Sequence, residues 1–305
     1  MSRQRRGHPI DGLLILDKPA GISSNAALQR ARRLLQAAKA GHTGSLDPIA
    51  TGVLPLCFGE ATKLSGFLLD TAKRYQVRVR LGRTTTTADR EGEILERRAV
   101  PQLSAELLEA ALQRFRGEQR QVPPMYSALK HQGKRLYELA RQGQEIDREP
   151  RAVTLYSLDL RGFGGDWLDL DVHCSKGTYI RSLAVDLGES LGCGGHVAVL
   201  RRTAVGEFPI QSALTLEQLE AMEPEQRLSR LLPMDTMVAG LSRVGLDHGQ
   251  AVRFLQGQAI AVKGFDAAGV VRVYDQRSRF LGLALGENGR IQPQRVVSRP
   301  DDPMP

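Results

Sequence analysis

The sequence predicts an α+β protein with a smaller, β-rich segment towards its C-terminal end. Three observations carry this. Residues 75–81, YQVRVRL, alternate with period two: Tyr75, Val77, Val79 and Leu81 share one face, and Gln76, Arg78 and Arg80 share the other. Other segments carry apolar residues at helical spacing, as in Ala27, Leu28, Ala31, Leu34 and Leu35. Beyond about residue 237 the chain turns to short strands and glycine turns.

The elements follow in order. A basic N-terminus, MSRQRRGHP, is expected to be mobile. GLLILDKPAGISS is a short apolar strand ending in a Pro/Gly turn, and Ser23 or Ser24 can cap the helix that follows. After 75–81, RTTTTADREGEIL reads as a loop leading into another strand. Ser104 caps a helix, AELLEAALQRF. Residues 123–151 are Pro-marked and basic, with Lys130, Lys134, Arg135, Arg141, Arg148 and Arg151, and are expected to form a protruding insertion. Within them KRLYELARQG reads as a helix ending at Gly143. AVTLYSLDLRGF and DWLDLDVHCSK read as strands, GTYIRSLAVDLGESLG enters a helix ending at Gly192, and HVAVLRRTAVGEF is another strand. TLEQLEAM offers a Thr215–Gln218 capping box. VVRVYD and FLGLALGE pair as a hairpin, and the tail RPDDPMP is expected to be disordered.

Composition narrows the function classes. The 305 residues are 41% apolar and 25% charged, ordinary for a globular protein of more than one domain. The net charge is +8 and the pI about 9.7, which favours a polyanionic partner such as nucleic acid. Cys57, Cys174 and Cys193 form no CxxC pair, so a disulfide framework is not expected and a reducing cytosol fits. The early apolar run Leu13 to Leu16 is too short for a signal peptide or a membrane span. No P-loop, GxGxxG or HExxH occurs and the six histidines are scattered, so neither a nucleotide cofactor nor a metal is expected.

One stretch stands apart. GHTGSLDPIATGVLPLCFGEATKL, residues 41–64, is too apolar for a surface loop and too broken by glycine and proline for a core element. Asp47 before Pro48 can be a plain Asx-turn. With Leu46, Ile49, Val53 and Leu54 around it, the alternative is a carboxylate in a dry site, which needs a cationic partner. Arg181, in SKGTYIRS at a strand-to-helix junction, is the candidate, since a guanidinium can bind a carboxylate bidentately and keep it ionised.

GLLILDKPAGISS, GHTGSLDP, KRYQVRVRLG, SKGTYIRSLAVDLG and HVAVLRRTAVGEF, in this order, closely resemble the bacterial tRNA pseudouridine-55 synthase family known as TruB. The resemblance implies a mixed, mostly antiparallel catalytic sheet with flanking helices and a thumb insertion at about 123–151. It also implies a boundary near 237, giving a catalytic domain over 1–236 and a small PUA-like RNA-binding β domain over 237–305. It implies isomerisation of uridine 55 in the T stem-loop of tRNA, without cofactor, metal or membrane. A cytoplasmic monomer with no obligate protein partner follows.

Residue by residue, the resemblance makes Asp47 the catalytic carboxylate, by covalent attack or by proton abstraction from the ribose. Arg181 would pair with it. Tyr75 would lie against the target base, Tyr179 would contact the flipped nucleotide, and Leu200 would wall the uracil pocket. His42 would fill the space left by the base. Lys18–Pro19 would support the catalytic loop, and Lys130, Lys134 and Arg135 of the thumb would contact phosphates. Two rivals stand beside this reading: a non-catalytic tRNA-binding or RNA-folding protein on the same scaffold, which shares the basic surface and the C-terminal domain but does not need Asp47, Tyr75 and Arg181 together, and a related synthase acting on a guided or different RNA.

Overall fold

In the computed structural model, residues 7–127, 129–266 and 268–297 are described, with only the backbone considered at 130, 131 and 135. The tail at 299–305 lies outside these residues, as does most of the basic N-terminus. The chain begins with β1 (Gly12–Lys18), α1 (Ser24–Leu34), β2 (Ala40–His42), β3 (Thr51–Phe58), α2 (Ser65–Leu69) and β4 (Lys73–Leu81). The hairpin of β5 (Arg83–Thr85) and β6 (Ile94–Arg97) precedes α3 (Ala105–Gln113) and β7 (Gly117–Gln121). A second hairpin, β8 (Lys130–His131) and β9 (Lys134–Arg135), leads into α4 (Leu136–Ala140). Then come β10 (Arg151–Gly164), β11 (Trp167–Cys174), α5 (Ile180–Ser190), β12 (Gly195–Val205), β13 (Phe208–Pro209), β14 (Leu214–Thr215), α6 (Leu216–Ala221) and α7 (Pro224–Ser229). The C-terminal part holds β15 (Arg243–Gly245), α8 (His248–Leu255), β16 (Ile260–Ala261), β17 (Gly269–Tyr274), β18 (Phe280–Glu287) and β19 (Arg290–Val296).

A ten-stranded sheet runs β14-β1-β3-β12-β4-β11-β10-β7, with β2 beside β3 and β13 beside β12. β1/β14 and β3/β12 pair parallel, and the other pairs are antiparallel, so the sheet is mixed and mostly antiparallel as expected. The run LLIL in β1 is buried on both faces, which explains why it is continuous rather than alternating. Leu14 and Leu16 join a core built with Leu28 of α1, Leu108 of α3, Leu183 of α5 and Leu219 of α6. Leu13 and Ile15 face the other way. β4 keeps the predicted alternation, turning Arg74, Gln76 and Arg78 to solvent.

Local chemistry sets the helix ends. The Ser23 side chain caps α1 through the Ala26 amide, Ser104 caps α3 through Leu107, and Thr215 and Gln218 complete their box. The basic insertion differs from expectation in one respect. Its helix spans only Leu136–Ala140, because Lys134 pairs back on His131 around Gln132 and Gly133, both at positive φ. No helix among the described residues is long and apolar enough to cross a membrane.

The C-terminal part forms a separate five-stranded sheet, β15-β17-β18-β19-β16, around Val244, Phe254, Val273 and Ile291. It also leans on the large sheet. Leu283 of β18 shares a buried cluster with Leu13, Ile15, Val53, Met237 and Val238. The Tyr274 hydroxyl donates to Asp235 at 2.6 Å beside this contact.

Candidate active site

The 41–64 stretch is not one loop: Thr51–Phe58 within it is the buried strand β3, a core element despite its glycine and proline, and only residues 43–50 form a loop, between β2 and β3, fastened from several sides. Leu46 is tied to Ser24 twice: its amide donates to Oγ at 2.7 Å, and Oγ donates to its carbonyl at 3.0 Å. Lys18, with no exposed surface, donates from Nζ to Pro19 O at 2.7 Å, Ile22 O at 2.8 Å and Pro48 O at 3.4 Å. Arg202 braces both ends of the loop, Nη2 to Gly44 O at 3.1 Å and Nε to Val53 O at 2.7 Å. Where β3 starts, Gly52 has φ +106°, and a Cβ there would sit 2.1 Å from the Arg202 carbonyl. Only glycine lets these two backbones meet.

The loop presents Asp47 to Arg181. Arg181 Nε lies 2.9 Å from Oδ2, and Nη2 donates to Oδ1 at 3.1 Å, a two-point ion pair. Arg181 is 5% exposed, whereas Asp47 keeps 36% of its side chain open. The pair is therefore held from within and reachable from without. The rest of the guanidinium is spoken for: Nη1 donates to Thr87 O at 3.1 Å and Nη2 to Tyr126 O at 2.6 Å. Desolvation pushes the Asp47 carboxyl above the ordinary aspartate range, Arg181 draws it back, and Asp89 pushes it up again.

The first turn of α5 carries Arg181 and is pinned to the end of β7. The Gln121 amide accepts from Tyr179 N at 2.7 Å and donates to Tyr179 O at 3.0 Å, and Ser182 Oγ donates to Val122 O at 2.9 Å. Tyr179 sits at the N-terminus of α5, close enough for Arg181 and Asp47 to act on its hydroxyl.

Tyr75 and Leu200 lie on one face of the sheet: Tyr75 on β4 opposes Arg202 on β12, and Leu200 opposes Val77. Both belong to the helix-side core, Leu200 buried and Tyr75 partly open. Burial pushes the Tyr75 hydroxyl up, Arg202 acts against this, and the Asp47 charge reaches it too. His42, at the end of β2, turns its Nδ1 into the interior without a hydrogen-bond partner. Burial and the Arg202 charge lower its pKa, so its ring is neutral at pH 7.

Asp47 and Arg181 meet directly, and Tyr75 and Tyr179 lie within reach of the Asp47 charge; with His42, which feels Arg202, and Leu200, across from Val77, they come from four stretches of chain. Lys134 is exposed in the second hairpin, and the side chains of Lys130 and Arg135 lie outside the described residues. Sequence reasoning missed Asp89, Gln121, Tyr126 and Arg202. For Arg202 a signal existed: it stands in phase with Leu200 and Ala204, a charge on the buried face of a strand. Among the described residues no group of His, Cys, Asp and Glu has the disposition of a metal site.

The titrations have a sign that can be measured. As a base or nucleophile Asp47 would act only when ionised, so any reaction it served would speed up as pH rises through its raised pKa. Burial pushes Lys18 down to about 8, so its attraction for Asp47 is lost as pH rises past that value. A single-turnover pH–rate profile is expected to fall on its acid side. Asp89→Asn removes a raising influence and is expected to move the acid limb to lower pH; an unmoved limb would exclude Asp89 from tuning Asp47.

Comparison with known proteins agrees along the whole chain. A family model described as the N-terminal domain of the TruB family pseudouridylate synthases matches residues 32–180. The tRNA pseudouridylate synthase B C-terminal domain matches 181–239, and the Pseudouridine synthase II TruB C-terminal domain matches 242–297. The tRNA pseudouridine synthase B of Vibrio vulnificus is 50% identical over 97% of this chain and 98% of its own. The protein of that name from a Shewanella species is 48% identical over 100% and 99%. Among solved structures, a chain of a Cbf5-Nop10-Gar1 complex aligns over 93% of this chain and 84% of its own, with a TM-score of 0.71 and 24% identity. A chain of an archaeal box H/ACA sRNP Nop10-Cbf5 complex aligns with the same TM-score at 22% identity, over 99% and 94%. At that identity these two speak for the fold.

Proposed function

The chain belongs to the TruB family of pseudouridylate synthases, isomerases that act on tRNA, and from that premise we propose that it converts uridine 55 of the T-loop to pseudouridine with Asp47 as its catalytic carboxylate. The observation that carries this reading is the Asp47–Arg181 pair: a carboxylate accessible from solvent, gripped at two points by a buried guanidinium. The reaction breaks N1–C1′, turns the base and joins C5 to C1′. It needs a charged carboxylate at the ribose and a pocket that holds a detached base. Asp47 supplies the first. Tyr75 and Leu200, on one sheet face above the apolar core, supply the second.

Tyr179 contacts the extruded nucleotide, and the neutral ring of His42 fills the gap in the stack. Extrusion costs a few kcal/mol, and a flat uncharged ring is suited to offset it. Residues 123–151 act as the thumb, with Lys130, Lys134 and Arg135 on phosphates. The segment from 237 holds RNA farther from the loop. The enzyme works as a cytoplasmic monomer.

Two experiments test this. Pseudouridine in a tRNA transcript incubated with the protein is mapped by chemical derivatisation and reverse-transcription stops; a stop elsewhere than 55, or none, refutes the assignment. Changing Lys130, Lys134 and Arg135 to Ala together is expected to weaken tRNA binding. It should also flatten the plot of log Kd against log salt by roughly 0.7–0.9 for each phosphate no longer neutralised. An unaltered slope would make this face a bystander.

A further inference from the structure

Arg202 is 1% exposed, yet among the described residues no carboxylate pairs with it. The charged groups around it are of its own sign: Lys18 and Lys73 both feel its repulsion, and it helps to keep the His42 ring neutral. Lys73 is itself buried, its Nζ donating to Leu69 O at 2.6 Å and Thr71 O at 2.5 Å. A buried, unpaired cation among other cations is costly to keep, and arginine does not escape by losing its proton.

Its contacts suggest what it is for. Two donors go to Val53 O and Gly44 O, on either side of the Asp47 loop. Tyr75 stands directly across the β4–β12 pair on the same face, and the guanidinium acts on its hydroxyl. A guanidinium can only donate, so the Tyr75 oxygen must accept. The one proton on that oxygen then points away from Arg202. Tyr75 is partly open, whereas Arg202 beside it is buried.

We propose that Arg202 is an electrostatic positioning residue: it turns the Tyr75 hydroxyl into a fixed hydrogen-bond donor for the uracil as that base leaves the ribose. This rests on the function proposed above. When N1–C1′ breaks, the bonding pair stays with the base, which becomes a uracil anion with its charge spread over N1 and the two carbonyl oxygens. Tyr75 donates its O–H to that anion without giving up the proton. Arg202, beside Tyr75, strengthens the donor, because an oxygen that accepts from a cation holds its own proton less tightly. Both groups are in place before the charge develops, which is the condition for lowering a barrier rather than tightening binding.

A leaving-group test separates this from a merely structural role. Fluorine at C5 makes the base more acidic, so its anion needs less help. Arg202→Met keeps the length and loses the charge. It is expected to slow single-turnover loss of uridine 55 by roughly 10²-fold, in line with removal of one preorganised donor. On the same tRNA carrying 5-fluorouridine at 55 the loss should shrink to roughly 10-fold or less, with tRNA Kd within about two-fold of wild type. Arg202→Lys should recover part of the rate. Equal losses on the two substrates would overturn the proposal. Should Arg202→Met fail to fold, Tyr75→Phe carries the same comparison, with the same two outcomes. A wild type that converts neither tRNA would sink the proposed function and this inference together; wild-type turnover with equal variant losses would sink this inference alone.

Discussion

Asp47→Asn is expected to abolish isomerisation, with a loss of at least ~10³–10⁴-fold at saturating tRNA. The amide has the shape of the carboxylate but is neither nucleophile nor base, so both routes open to Asp47 close together. Binding should hold, since the loop is fastened by Ser24, Lys18 and Arg202 rather than by the Asp47 side chain. Stability should fall modestly, by roughly 1–2 kcal/mol: Arg181 loses its counter-ion, but the carboxylate was 36% exposed and partly screened. Turnover near the wild-type rate, with tRNA Kd unchanged, would remove Asp47 from the mechanism.

Deleting residues 237–305 is expected to destabilise the remaining chain severely, not merely to weaken tRNA binding. Met237, Val238 and Leu283 share one buried cluster with Leu13, Ile15 and Val53 of β1 and β3. Truncating a single such side chain to Ala costs about 2–5 kcal/mol. Removing three at once approaches the whole stability of a domain, about 5–15 kcal/mol. β3 is also the strand into which the Asp47 loop runs, so the damage lies one element from the site. A thermal melt of the truncated chain checks this. Leu283→Ala in the full chain serves as the mild version, expected to lower Tm by several degrees. A truncated chain that melts within a few degrees of the full one would mean the two parts are stable independently.

Much of this molecule is legible in its sequence because local chemistry and long-range packing agree there. The alternation of β4, the caps at Ser23, Ser104 and Thr215, and the unbroken apolar run of β1 each state their environment directly. Asp47 and Arg181 are legible as a pair because an aspartate among leucines needs a cation, and few segments offer one at a helix entrance. Other contacts are illegible for a physical reason: they lie in the backbone. Tyr126 and Thr87 hold Arg181 through carbonyls, which no side-chain pattern reveals. Gln121 grips Tyr179 from 58 residues away, and a glutamine ending a strand gives no sign of it. Arg202 is half legible: it is in phase with Leu200 and Ala204, but the irregularity in register between Val197 and Val199 breaks the alternation, so a phase read from Val197 and Val199 puts it on the open face. The start of KRLYEL reads as helix because its propensity is good, and the turn at Gln132–Gly133 overrides it.

The most direct test is tritium release from a tRNA transcript labelled at uridine C5, with wild-type protein and two substrates: the normal tRNA, and one with cytidine at position 55. C5 loses its hydrogen only when it joins the ribose, so release reports the isomerisation itself. The expected result is one equivalent of tritium per normal tRNA and none from the altered one. Tight binding of the normal tRNA with no release, or equal release from both, would contradict a synthase specific for uridine 55.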